Sequence, residues 1–432
     1  MSRILACLLL IVSVNSCKTP SGVFAKKTLH EEYGNKLTDA GLAQTVLGRT
    51  WFEAASKALS SPVAIQLPYK ETGYFAPDRP TATGLQFSAR RGEQIIIEVS
   101  KVPATNYLLF TDLFTSNGGT NKLVQSTDSA NNTIRYTVRD SGSLSLRLQP
   151  ELLKSGSYTL VITTAPSLAF PVANPSVKNR IISMWGADRD AGARSHQGVD
   201  IGGNRGTPVV AVGNGYVTSV TENNLGGKVV FIRSDEANET WYYAHLDSQI
   251  AIPGQRVNTG DVVGLIGNTG NARTTAPHLH FGIYTSGGAV NPLPYLEAGK
   301  KNPKDIAAPI SALGNWRRVA SKPFLTYSTP DTRLPGIKNE NIPVLVIGAT
   351  GNLYKTILPG GELMFVPAAS TIEINKRINK LTLKEAKPIH DAPDENAPVI
   401  KTLSAGSSVD LLGIYNNFQF IAAEEQRGWV RL

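Results

Sequence analysis

His278-Leu279-His280 stands out in a chain of 432 residues with only six histidines, four of which lie between positions 196 and 280. Upstream, His196-Gln197-Gly198-Val199-Asp200 adds an imidazole and a carboxylate four residues apart. These are the groups that hold a catalytic zinc, which typically takes three protein ligands and leaves its fourth position to water. His196, Asp200, His245, His278 and His280 offer three ligands in several combinations. Two histidines then remain to move protons or stabilise charge. There is no HExxH helix, so the paired helical histidines with a Glu base are absent.

Strands are the elements best suited to position these groups. Alternate residues of a strand share a side, so His278 and His280 face one way while Leu279 and Phe281 enter an apolar layer. If residues 196 to 201 are also extended, His196, Gly198 and Asp200 share a face, and Gly198 leaves room for an ion. A helix would also bring His196 and Asp200 together. The glycines at 198, 202 and 203 and the β-branched Val199 and Ile201 argue against one.

Three stretches in order, HQGVDIGGNRGTPVVAVGNGYV, WYYAHLD and GDVVGLIGNTGNARTTAPHLHFGI, resemble the lysostaphin-type zinc metallopeptidases, which cut peptide cross-links in bacterial cell walls. The resemblance covers about residues 181 to 295. It implies an antiparallel β domain with zinc bound by His196, Asp200 and His280, and with His245 and His278 as the catalytic histidines. Family members that are only activators usually lose some of these five residues, and all five are present here. One departure is Gly282, where a Glu is common. The implied function is a zinc-dependent endopeptidase acting on peptidoglycan cross-links. The alternative is a non-catalytic wall-binding protein that activates another hydrolase, and last comes a plain structural lipoprotein.

Composition sets the surroundings. The net charge of +9 suits attraction to anionic wall polymers or lipid headgroups, while the lack of a basic, aromatic-interleaved stripe speaks against nucleic acid. Arg3 followed by the apolar run Ile4 to Val14 reads as a leader too short to span a bilayer. Val14-Asn15-Ser16-Cys17 resembles the lipobox of bacterial lipoproteins, which implies processing before Cys17 and lipidation there. The second cysteine, Cys7, falls inside the leader, so no disulfide is expected. Lys18 stands where an Asp would signal inner-membrane retention, which implies an outer-membrane lipoprotein facing the periplasm.

The expected fold class is mainly β: one N-terminal helix, a β-sandwich, the peptidase domain and small C-terminal barrels. The sequence divides into a leader (1–16), an anchor, linker and helix segment (17–80), the sandwich (81–166), the peptidase domain (178–299) and two barrels (312–375 and 380–432). The helix is expected over 38 to about 60, capped by Thr38 or Asp39, with Leu42, Val46, Leu47, Trp51, Ala54, Ala55 and Leu59 as its buried stripe. Strand patterns at 94–99, 107–114 and 133–138 and the alternating Leu144, Leu146 and Leu148 suggest the sandwich. Residues 166 to 177 read as a linker. The Lys-Pro pairs at 322 and 387 begin a faint repeat. Its second copy, ending Gly428-Trp429-Val430, resembles bacterial Src-homology-3-like wall-binding barrels. Trp316, Tyr415 and Trp429 would line a ligand surface or pack a core.

Overall fold

The computed structural model describes residues 27–128, 132–173, 181–297, 299–300, 302–319, 324–337, 341–424 and 426–431. The expected leader and Cys17 lie outside the described residues, as do Lys322 and Pro323.

The chain is mainly β. Where one helix is expected, two form: α1 (Leu29–Asp39) and α2 (Val46–Ser60). Thr28 and Glu31 close a reciprocal capping box at the start of α1. Gly41, at φ 73°, ends the run, because the left-handed conformation it adopts cannot continue a helix. Thr45 then starts α2 by accepting from Gly48 N at 3.1 Å. The break also rotates the buried face. Trp51, Ala55 and Ala58 are buried, whereas Leu42, Val46 and Leu47 of the expected stripe are exposed. Gly48 permits close approach to Leu42 at this junction, and Gly84 to Ala58 near the end of α2, since a Cβ on either would lie within 2.0 Å of a backbone carbonyl oxygen.

The helices pack on a two-sheet sandwich. One sheet runs in the order Val63–Ala64, Thr83–Ala89, Gly142–Pro150, Leu109–Asn117, Thr120–Ser126. The facing sheet holds Tyr69–Phe75, Gly156–Pro166, Glu93–Val102 and Thr133–Thr137. Leu85, Ile95, Ile97, Leu146, Leu148, Leu160 and Ile162 are fully buried between them. The sandwich therefore takes in strands from residue 63, ahead of the expected boundary at 81. Tyr69–Phe75 does not read as a central strand because its middle carries Glu71. That side chain is fully buried and meets Lys355 Nζ at 3.1 and 3.2 Å, Tyr69 OH at 2.6 Å and Tyr158 OH.

Lys355 belongs to the C-terminal region. It lies on strand Leu353–Ile357, whose neighbour Pro343–Thr350 pairs with Tyr69–Phe75 through Thr72 opposite Ala349 and Gly73 opposite Gly348. The strands of the first expected barrel thus continue a sandwich sheet. The last six strands form their own sheet, tied to the preceding unit by Arg318 Nη1 donating to Leu412 O at 2.7 Å. Trp316, Tyr415 and Trp429 gather with Phe420 in one aromatic cluster, so packing claims them.

The domain carrying the histidines is inserted into this scaffold. Its main sheet runs Ile181–Ser183, Val199–Gly202, His278–Thr285, Glu239–Gln249, Gly227–Ser234, Gly215–Asn223, Arg256–Val257. Lys300 N donates to Thr164 Oγ1 at 2.9 Å, which brings the exit of the insertion beside its entry. The expected linker is docked as far as it is described. Val210 N donates to Pro171 O at 2.9 Å, and Val172 is buried in the domain core. Among the described residues no helix is long and apolar enough to cross a membrane.

Candidate metal centre

Two antiparallel strands build the core of the site. Asp200 pairs directly with His280, and Gly202 with His278. Directly opposed residues of an antiparallel pair project to the same side, so the carboxylate and the imidazole meet. Val199, Ile201, Leu279 and Phe281 turn the other way and are fully buried. Gly198 does leave room, but for a ring: a Cβ there would lie 2.7 Å from Cε1 and Nε2 of His280.

His196 reaches the same point by another route. The strand begins only at Val199, so His196 does not share its alternation. Backbone bonds to Gly186 and Ala187, at 2.9 and 2.8 Å, fix it beside the short Asp188–Arg189 and Arg194–Ser195 pairing. His196 Nδ1 lies 2.8 Å from Met184 O, a group that can only accept, so this nitrogen carries the proton and Nε2 is bare in the neutral ring.

His196 Nε2, Asp200 Oδ1 and His280 Nδ1 stand 3.0 Å from one another. Two of the three are acceptors, and a single proton on His280 Nδ1 can lie along only one contact. One cation would satisfy all three. Ligands ~2.0–2.1 Å from a tetrahedral zinc stand ~3.3 Å apart, so the 3.0 Å triangle fits a zinc after a slight opening. Asp200 Oδ2 accepts from Arg189 Nη2 at 2.8 Å, and the same Arg189 nitrogen donates to Ser183 Oγ at 2.7 Å. Burial pushes the Asp200 carboxyl up, but the neighbouring His196 and His280 outweigh it and hold it far below the usual carboxylate range. Arg189, Ser183 and Met184 carry no motif of their own, and only the fold puts them behind the ligands.

His245 and His278 flank the triangle. Their ring centroids are 5.0 Å apart, and His245 lies 5.9 Å from His280. Alternation alone would send His245 away from the site, because its neighbour Ala244 is the residue paired with His280. The chain breaks register here, and His245 adopts φ 62°. Such backbone strain in a residue other than glycine is held by its surroundings. Here His245 N donates to Gly226 O at 2.7 Å, and Nδ1 donates to Thr269 O at 2.9 Å. His278 Nδ1 likewise donates to Ala276 O at 2.9 Å. Both neutral rings therefore keep a bare Nε2. Burial first, then the neighbouring His278 and His280, push His245 down to about 4. Burial also lowers His280, against the pull of Asp200.

Residues 194–292 match the model of Peptidase family M23. This region is an M23 peptidase domain. Among curated proteins, it is 41% identical over 101 residues to an uncharacterized metalloprotease of Haemophilus influenzae, covering 23% of this chain and 21% of that one. It is 36% identical over 99 residues to the peptidoglycan DD-endopeptidase ShyC of Vibrio cholerae, covering 23% and 22%. Lysostaphin of Staphylococcus simulans is 35% identical over 109 residues, covering 24% and 22%. The match thus spans about a fifth of the length of these relatives. Of solved structures, LytU aligns at 36% identity with a TM-score of 0.26, covering 27% of this chain and 83% of that one. The catalytic domain of lysostaphin aligns at 30% with a TM-score of 0.24, covering 26% and 88%.

Proposed function

We propose that this chain is a zinc-dependent endopeptidase that hydrolyses peptide cross-links of bacterial peptidoglycan. The observation that carries this reading is the 3.0 Å triangle of His196, Asp200 and His280 beside two imidazoles that each present a bare nitrogen. Among relatives with similar M23 regions, one is named a peptidoglycan DD-endopeptidase and another a DD-carboxypeptidase/endopeptidase. Zinc held by the triangle would supply Lewis acidity, polarising a carbonyl and acidifying water.

The chain's own groups supply the proton traffic. Because Thr269 and Ala276 fix the Nδ1 protons of His245 and His278, either Nε2 can take a proton from an attacking water. Once protonated, that nitrogen becomes a donor, able to stabilise the developing oxyanion or hand its proton to the departing amine. The carboxylate of Asp200 stays charged throughout, since its neighbours hold it ionised.

In this reading the protein works at the outer membrane, facing the periplasm, anchored by a lipid on Cys17. The leader-like Ile4 to Val14 run and the lipobox-like Val14 to Cys17 support that placement. The test is zinc analysis of the purified protein, followed by incubation with purified cell wall with and without a chelator. Zinc near one equivalent and chelator-sensitive release of amino groups are expected. Bound zinc with no cleavage would instead support the activator reading.

A further inference from the structure

The sandwich has two unlike ends. At one end the peptidase domain is docked: Tyr295 packs where a Cβ on Gly92 would stand, Arg90 pairs with Glu297, and Lys300 meets Thr164. Strand Glu93–Val102 runs from this end to the other. Its ten residues, at ~3.3 Å each, span about 30 Å.

The far end is made by residues 101–108 and 150–156. Leu108 and Glu151 exchange bonds, Lys101 Nζ donates to Tyr107 O, and Tyr107 packs where a Cβ on Gly156 would stand. Three large apolar side chains project here with little cover: Val102 at 68% exposure, Leu108 at 44% and Leu153 at 60%. Leu153 also adopts φ 63°. A bulky residue in the left-handed region is an outlier, and this one holds an apolar side chain out to solvent rather than into a core. Lys101 and Lys154 flank these tips, while Glu151 is tied back to Leu108 N at 3.1 Å.

The described chain also begins at this end. Tyr33 OH accepts from Leu152 N at 2.9 Å, and the first turns of α1 pack on Phe110 and Leu152. Cys17 is ten residues before Lys27, a span of at most ~35 Å of extended chain. We propose that this end of the sandwich is a foot that rests on the lipid surface. Val102, Leu108 and Leu153 enter the headgroup region, and the exposed Lys154 reaches lipid phosphates with its ammonium head. The proposal rests on the Cys17 anchor for its orientation, and it places the peptidase domain on the side turned away from the bilayer.

The test is an environment-sensitive fluorophore on Leu153→Cys in the full chain, reconstituted in phosphatidylethanolamine–phosphatidylglycerol vesicles. Ile252→Cys, an equally exposed position on the peptidase domain, is the control. A blue shift and several-fold stronger quenching by a lipid-phase nitroxide are expected at 153 and not at 252. Adding Val102→Ser and Leu108→Ser should reverse most of that difference. Equal, water-like signals at both positions overturn the foot. So does a label at 153 already shielded before vesicles are added, which would show the chain's own N-terminal segment covering the patch. The mass of the purified chain reports the lipid separately. If Cys17 is a free thiol, the anchor reading fails, and the same label read in a Cys7→Ser, Cys17→Ser background with added vesicles still decides the foot.

Discussion

Arg189 shows how much of a candidate metal centre lies behind the groups that would hold the ion. By occupying Asp200 Oδ2 it leaves Oδ1 as the oxygen facing the two imidazoles. Outer partners of this kind typically govern metal affinity 10–100-fold. Arg189→Ala is therefore expected to weaken zinc binding by about that factor, measured by competition with a chelator. Arg189→Lys, which keeps the charge, should recover part of the loss. His280→Ala is expected to lose the metal itself, whereas His278→Ala should keep zinc and lose hydrolysis. Metal analysis and wall digestion of both variants test the division, and equal zinc loss in the two would overturn it. The types and spacing of these residues were legible because alternation on a strand is strict. The orientations of His196 and His245 were not, since one sits before its strand begins and the other at a break in register.

At the scale of elements, the helical pair is seated by a buried polar chain. His30 stacks on Trp51 at 4.7 Å and donates from Nε2 to Gln149 Oε1 at 2.7 Å, while Gln149 Nε2 donates to Trp51 O at 2.8 Å. Burial first, then Arg147, lowers the His30 pKa. The folded state thus resists a proton that the unfolded chain accepts near its ordinary value of ~6.5. Below that value the unfolded state binds more protons, so stability is complete above about pH 6.5 and falls as the pH drops toward the folded-state pKa. His245 and His280, also lowered, contribute in the same direction. Thermal unfolding between pH 7.5 and 5 should therefore show a smaller acid loss in His30→Gln than in the native chain. Of the helix expected over 38 to about 60 only Val46–Ser60 forms, because Gly41 breaks the chain and Thr45 caps the start, and α1 lies almost wholly ahead of that span.

The whole molecule is a scaffold with the peptidase domain inserted in it. Glu71 and Lys355, 284 residues apart, close that scaffold with an ion pair screened from water. Removing one partner leaves a buried charge, which costs ~3–5 kcal/mol. Lys355→Met is expected to lose that much in denaturant unfolding, and Lys355→Met with Glu71→Gln should recover part of it. An unchanged midpoint for the single variant would remove the ion pair from this account. The residue string by itself determined what depends on short-range order. Alternating apolar residues settled the strand Gly142–Pro150 and the Asp200 and His280 faces, because the pleat gives them no choice of side. Only the tertiary structure decided that Tyr69–Phe75 is a central strand, that Pro343–Thr350 pairs with it, and that Arg189 backs Asp200. Each of those depends on a partner that lies far along the chain or outside any repeating pattern, and no local periodicity records where such a partner will arrive.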